Sequence, residues 1–290
     1  GYQPPLNGSY LEYLTGIVTT RTDGYYIVPV YPGDVGPVLQ SPPLVTDIRR
    51  DIIEVPSNQP VEVSAKIKDL DGTVSDARVY YSINSGARDS VQMTFSVSDS
   101  LYKGTIPGVV ADSALVDFYI WAKDNQDLVS ITPVDTVKQK YFYLVLNRPL
   151  TIKDAQYSPF GGGYSAYNGY RISLSGVVSA DSSDIKGFGS TPLRVYMQDG
   201  SGPWSGIQIG TAGTMGTQVL NLHRGDRVTV TGVIREDFDV TKIDTLSSIT
   251  VASSGNTLPN AEVLTTGVIG ISGNNAIGKE EWESVLVQYN

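Results

Sequence analysis

The runs YRISLSGVVSA (Tyr170–Ala180), LRVYMQDGSGPWSGIQIG (Leu193–Gly210), LHRGDRVTVTGVIRE (Leu222–Glu236) and SSITVASSG (Ser247–Gly255) decide the fold. Each is short, rich in β-branched residues and bounded by Gly, Asp, Ser or Pro, the pattern of strands joined by tight turns. Ile172, Leu174, Gly176 and Val178 alternate with Arg171, Ser173, Ser175 and Ser179, so one face of the first strand is buried. Gly176 on that inner face permits the sharp coiling of a small barrel. Asp199-Gly200-Ser201-Gly202 and Arg224-Gly225-Asp226 mark turns, and Ile249 and Val251 mark a fifth strand. GTQVLNLHRGD (Gly216–Asp226) is long enough for one short helix. Five strands with a helix between the third and fourth make an OB-like barrel.

Outward from this barrel, the chain reads as all-β. Residues 1–42 form an N-terminal arm, closed at each end by a proline pair, with a hairpin signal at Thr22-Asp23-Gly24. Residues 43–147 carry about seven strands at spacings near ten residues, which indicates an immunoglobulin-like β-sandwich. Val61, Val63, Ala65 and Ile67 alternate there, and Phe118, Ile120 and Ala122 share a face of its most apolar strand. Residues 148–169 read as a linker, because Pro149, Pro159 and Gly161-Gly162-Gly163 break regular elements. Residues 170–290 hold the barrel and an extension in which VLTTGVIGI looks extended, Lys279 to Ser284 suits a helical turn, and Val285 to Tyr289 is a terminal strand.

The phrases GVV, MQDGSGPWSGI, LHRGDRVTVTGVI and ITVASSGNTLP resemble the OB-like module of large secreted bacterial proteins. In that group such modules occur in surface proteins and beside extracellular endonucleases. VSAKIKDLDGTVSDARVYYSIN, YKGTIP and DFYIWAKDNQDLVSITP resemble the bacterial immunoglobulin-like and fibronectin-like spacers of secreted proteins. The resemblance implies an extracellular or cell-surface setting and an accessory role.

Composition bounds the chemistry. The chain of 290 residues has a formal net charge of -9, which argues against a nucleic-acid partner. No apolar run approaches the roughly 18 residues needed to span a bilayer. There is no Cys, and His223 is the single His, in LHRGD and away from any nucleophile-elbow motif. A catalytic triad and a zinc site are therefore disfavoured, and no enzyme activity is expected.

Three sets of residues remain as candidates. Asp69, Asp71 and Asp76 lie in one sandwich turn, and Asp124 and Asp127 in the turn after the strand carrying Trp121. In an immunoglobulin-like topology those turns emerge at one end, where hard oxygen ligands suit calcium. Asp69, Asp71, Asp124 and Asp127 are the metal candidates, although Asp-Gly and Asp-Asn are turn residues in their own right. No other cofactor is expected. Tyr196 and Trp204 mark the barrel face where OB folds bind oligonucleotides or sugars, often by stacking, and a glycan is a candidate partner there, although the region is not basic as a nucleic-acid groove should be. Trp204 follows Pro203 in a turn and is equally placed to cap the barrel. Ile17, Val18, Tyr26 and Val28 in the arm, with Val285 and Val287 in the terminal strand, are candidates for assembly by strand addition, giving a homo-oligomer.

The expectation is a non-catalytic extracellular structural or adhesive protein that associates with itself, as a filament or surface-layer subunit would. The alternative is the accessory substrate-binding region of a secreted nuclease or other hydrolase, and a third reading is a carbohydrate-binding module.

Overall fold

The computed structural model describes residues 4–21, 24–160, 163–185, 194–237, 240–265, 267–268 and 280–289. The expectations for Thr22 and Asp23, for Gly161 and Gly162, for most of the run after Thr265 and for Lys279 lie outside these residues. The chain divides into two compact units. One comprises residues 1–51, 60–108 and 118–134; the other comprises 52–59, 109–117 and 135–290. Among the described residues, no helix is long and apolar enough to cross a membrane.

The first unit opens with the arm. β1 (Tyr10–Leu11) pairs with β4 (Val38–Gln40), and β2 (Ile17–Arg21) pairs antiparallel with β3 (Gly24–Val28). Ile17 is 65% exposed, Val18 64% and Val28 43%. The arm therefore does not fold back to bury these side chains.

The sandwich follows in two sheets. β5 (Leu44–Arg50), β6 (Val61–Lys68), β10 (Leu101–Ile106) and β9 (Thr94–Ser96) form one, in the order β5-β6-β10-β9. β7 (Val74–Ile83), β8 (Asp89–Gln92), β11 (Leu115–Asp124) and β12 (Val129–Thr132) form the other, in the order β12-β11-β7-β8. Alternation places Val61, Val63, Ala65 and Ile67 inside with Val79, Phe118, Ile120 and Ala122. The strand count exceeds seven because one run changes sheets. β8 pairs with β7, Met93 is buried at the crossing, and β9 pairs with β10.

In the second unit, β13 (Tyr141–Leu144) pairs with β11, whose first residues belong to this unit. The prolines of 148–169 do not exclude structure there, since Ile152–Gln156 form a helix, α1. Thr151 caps it by accepting from the Asp154 amide, and Asp154 returns a bond to the Thr151 N–H. Such a capping box lets a single turn persist close to Pro149. Ile152 and Ala155 are fully buried in the barrel core, and Tyr167 lies with them.

β14 (Arg171–Ala180), β15 (Val195–Gln198), β16 (Gly206–Ile209), β17 (Arg227–Asp237) and β18 (Val240–Ser253) close a barrel in the order β14-β15-β16-β18-β17. The β16–β18 pair is parallel and the others are antiparallel. α2 (Gly216–Leu220) lies between the third and fourth strands. This is the OB arrangement. Gly176 is required there, because a Cβ would meet the Gln198 carbonyl oxygen at 2.8 Å. The fifth strand starts earlier than Ile249 and Val251 suggested. Ile243 closes the barrel against Ile209, whereas Val251 is 47% exposed.

The tail corrects a second expectation. β20 (Val287–Tyr289) is not an unpaired terminal edge, since it runs parallel to β19 (Glu262–Leu264). Of the two residues read as assembly contacts there, Val287 lies in β20 and Val285 just before it.

Candidate functional site

The sheet β12-β11-β7-β8 turns alternate residues of β7 and β11 away from the core. On β7 these are Asp76, Arg78 and Tyr80; on β11 they are Tyr119, Trp121 and Lys123. The same periodicity that buries Val79, Phe118 and Ile120 therefore gathers three aromatic rings outside. The Tyr80 and Tyr119 rings stack at 5.3 Å with an interplanar angle of 13°. Trp121 meets Tyr80 at 6.5 Å and 75°. The Arg88 guanidinium lies 4.8 Å from the centre of the Tyr119 ring, a cation–π contact. Ile131, the cross-strand partner of Trp121, extends the apolar surface.

A polar network flanks the rings. Asp76 accepts from Gln92 Nε2 at 2.7 Å and from Arg78 Nε at 3.3 Å. Partial burial would raise the Asp76 carboxyl, but the bonds from Gln92 and Arg78 and the charge of Arg78 outweigh it and hold the group below the usual carboxylate range. The Tyr80 and Tyr119 hydroxyls and the Trp121 indole N–H make no hydrogen bond among the described residues. The face thus presents an indole ring, two phenol hydroxyls, an indole donor and a fixed Arg–Asp–Gln network on one rigid sheet. Apolar rings beside convergent polar groups are what a polyhydroxylated ligand requires. Sequence reading missed this face. The signal lay in the outward positions of two strands about forty residues apart, which single-strand reading does not align.

Tyr196 and Trp204 sit in separate settings. Tyr196 is on the outer side of β15 opposite Gln208. Trp204 is in the β15–β16 turn at a φ of 67°, with its ring edge-on to Tyr157 at 5.8 Å. The Trp204 backbone N–H donates to the Glu281 carbonyl at 2.6 Å. The tail also docks through Leu286 N–H to Gln198 Oε1 at 2.9 Å and Thr241 N–H to Glu283 Oε1 at 3.0 Å. Burial, joined by the nearby charges of Glu280 and Glu236, pushes the Glu283 carboxyl up to about 8, against the bonds from Gln156 and Thr241.

His223 is exposed, and Asp226 accepts from its backbone N–H at 2.8 Å. The four acidic candidates are divided. Asp71 accepts from the Ser41 hydroxyl at 2.6 Å, and Asp127 pairs with Lys123 at 2.8 Å. Asp69 and Asp124 lie in two loops bonded to each other, through Asn125 N–H to Thr73 O at 2.9 Å and Thr73 N–H to Asn125 Oδ1 at 2.7 Å. Among the described residues, no group of three or more His, Cys, Asp or Glu is placed to hold a metal ion.

No protein-family model matches the chain, and no curated protein matches its sequence. Solved structures give distant likenesses. A carbohydrate-binding module family 56 β-1,3-glucan binding domain is 18% identical, with 33% of this chain and 95% of that domain covered and a TM-score of 0.24. The GH family 64 laminaripentaose-producing β-1,3-glucanase from Paenibacillus barengoltzii is 14% identical, with 68% of this chain and 50% of the glucanase covered and a TM-score of 0.24. The same enzyme complexed with laminarihexaose gives the same values. Likenesses at this level establish neither family nor activity.

Proposed function

We propose that this chain is a non-catalytic, extracellular binding module that holds a polysaccharide against the outer face of its sandwich, as the accessory substrate-binding region of a secreted hydrolase would. The observation that carries the reading is the Tyr80–Tyr119–Trp121 cluster, whose hydroxyls and indole N–H are unbonded among the described residues. Stacking orders the rings before a ligand arrives, so binding costs little side-chain entropy. A sugar ring offers C–H bonds to the Trp121 face and hydroxyls to the tyrosines, Asp76, Gln92 and Arg88. The single exposed His, the lack of Cys and the acidic balance support a binding role over catalysis and a glycan over a nucleic acid.

The test is retention of the full chain on insoluble β-1,3-glucan, β-1,4-glucan, chitin and xylan. Parent and Trp121→Ala are compared, with Trp204→Ala as control. One polymer should retain the parent, with about tenfold or greater weakening in Trp121→Ala, the scale of an aromatic hot spot. Retention lost only in Trp204→Ala would move the site to the barrel. No retention on any polymer, or equal retention of all three proteins, would refute the reading.

Self-association is a second reading, favoured by one observation. Both faces of the β2–β3 hairpin are exposed, and a lone two-stranded hairpin is marginal in water unless something covers it. A second copy adding a strand at its edge would supply that cover.

A further inference from the structure

We propose that the sandwich loops 69–73 and 124–128 bind one calcium ion through Asp69, Asp124 and the side-chain oxygens of Asn125 and Gln126. Three buried side-chain oxygens without a hydrogen-bond partner fall in these two short loops: Asp69 Oδ2, Asp124 Oδ2 and Gln126 Oε1. Asp124 is 1% exposed. Its Oδ1 accepts from the Gln126 and Leu128 amides at 2.7 and 2.9 Å, which accounts for the turn and leaves Oδ2 turned away from those donors. A carboxylate oxygen buried with no donor is strongly disfavoured, and a bound ion is one of the few things that compensates it.

The loops are held together at the same place. Besides the two Asn125–Thr73 bonds, Ser75 Oγ donates to the Asp124 carbonyl at 2.6 Å. Gly72 sits at the junction. A Cβ there would clash with Asn125 Oδ1 and lie 2.7 Å from Asp69 Oδ2, so both oxygens flank one small gap above the glycine. Two carboxylates and two amide oxygens form an all-oxygen donor set, completed by water, that suits a hard cation and offers nothing to a soft metal. The irregular loops suit the adaptable coordination of calcium better than the strict octahedron of magnesium. Asp71 and Asp127 fall outside this set because Ser41 and Lys123 already engage them.

The experiment uses the full chain with calcium and, as a luminescent substitute, terbium sensitised by Trp121 in the strand that leads into Asp124. Melting is followed in chelator and in calcium up to about 1 mM, the weak-affinity range of extracellular calcium modules. Calcium should raise the melting temperature, since it binds the native state alone, and magnesium should do so much less. Asp69→Asn should weaken terbium and calcium binding about tenfold or more, while Asp127→Asn should leave both unchanged. If Asp124→Asn does not fold, Asp69→Asn decides alone, since among the described residues the second Asp69 oxygen accepts only from the Asp71 amide at 3.3 Å. An unchanged melting temperature from chelator to millimolar calcium, a parent-like response in Asp69→Asn, or loss of the response in Asp127→Asn would overturn the assignment.

Discussion

Replacing Glu283 by Gln should remove a pH-dependent weakness of the barrel unit. The carboxyl accepts from the Thr241 N–H at 3.0 Å and from Gln156 Nε2 at 3.4 Å. Burial raises it from an ordinary 4.5 to about 8, and Glu280 and Glu236 add like charge. A folded-state value above the unfolded one means that the native protein binds the extra proton. The associated stability is complete below about 4.5 and is lost as the pH rises through about 8. At 1.36 kcal/mol per unit, the window corresponds to about 5 kcal/mol when unfolding exposes the group fully. Gln keeps an acceptor oxygen in the same place and never ionises. Parent and variant should therefore be similar near pH 5, while the variant should be several kcal/mol more stable at pH 9.

Denaturant unfolding at pH 5, 7 and 9 measures this directly. The net charge of -9 also weakens the protein as pH rises, but that contribution is nearly common to both chains, so the difference between the two curves isolates Glu283. Parallel loss of stability in parent and variant from pH 5 to 9 would refute the argument, as would a Gln variant less stable than the parent at pH 9.

Gly176→Ala should destabilise the barrel by roughly 1–3 kcal/mol, because its Cβ would meet the rigid Gln198 backbone at 2.8 Å, whereas Gly200→Ala, which meets nothing within 4 Å, should be nearly neutral; thermal melts of the two variants check the pair. If copies associate through the arm, the full chain should sediment as an oligomer at high concentration, and Ile17→Lys with Val28→Lys, at facing positions of β2 and β3, should restore the monomer; a parent that stays monomeric would exclude that mode of assembly.

Period-two burial was legible wherever a strand had one apolar face. Val61 to Ile67 and Ile172 to Val178 show it, and the helix between β16 and β17 followed from segment length. β18 was read late because its first half puts Thr241 and Asp244 at buried positions. Asp244 is tolerated there through the Ala212 and Thr245 amides at 3.1 and 2.7 Å and Lys242 at 3.2 Å, partners no sequence pattern displays. α1 was missed because its stability comes from a capping box and core burial rather than from length or propensity. The parallel β19–β20 pair joins residues 25 apart, which local periodicity does not reach. The aromatic face failed for the same reason, since stacking of Tyr80 on Tyr119 is a property of two neighbouring strands and of neither alone.

The tail shows why one ionisable group can matter so much. Its docking relies on directional bonds: Trp204 N–H to Glu281 O, Leu286 N–H to Gln198 Oε1, Glu262 N–H to Leu286 O and Thr241 N–H to Glu283 Oε1. Such bonds fix register, but each adds only about 1 kcal/mol net, because water replaces the partner on release. Gln198 is fully buried, and its amide also donates to Gly200 O at 3.2 Å and to Ser205 Oγ at 3.4 Å. It therefore ties the tail to the β15–β16 turn that carries Trp204. Ionising Glu283 is therefore comparable in size to these four bonds taken together. Charge at this carboxyl should thus act first on the tail and only through it on the barrel, whose core residues Ile207, Ile209, Val228, Val230 and Ile243 are apolar and fully buried.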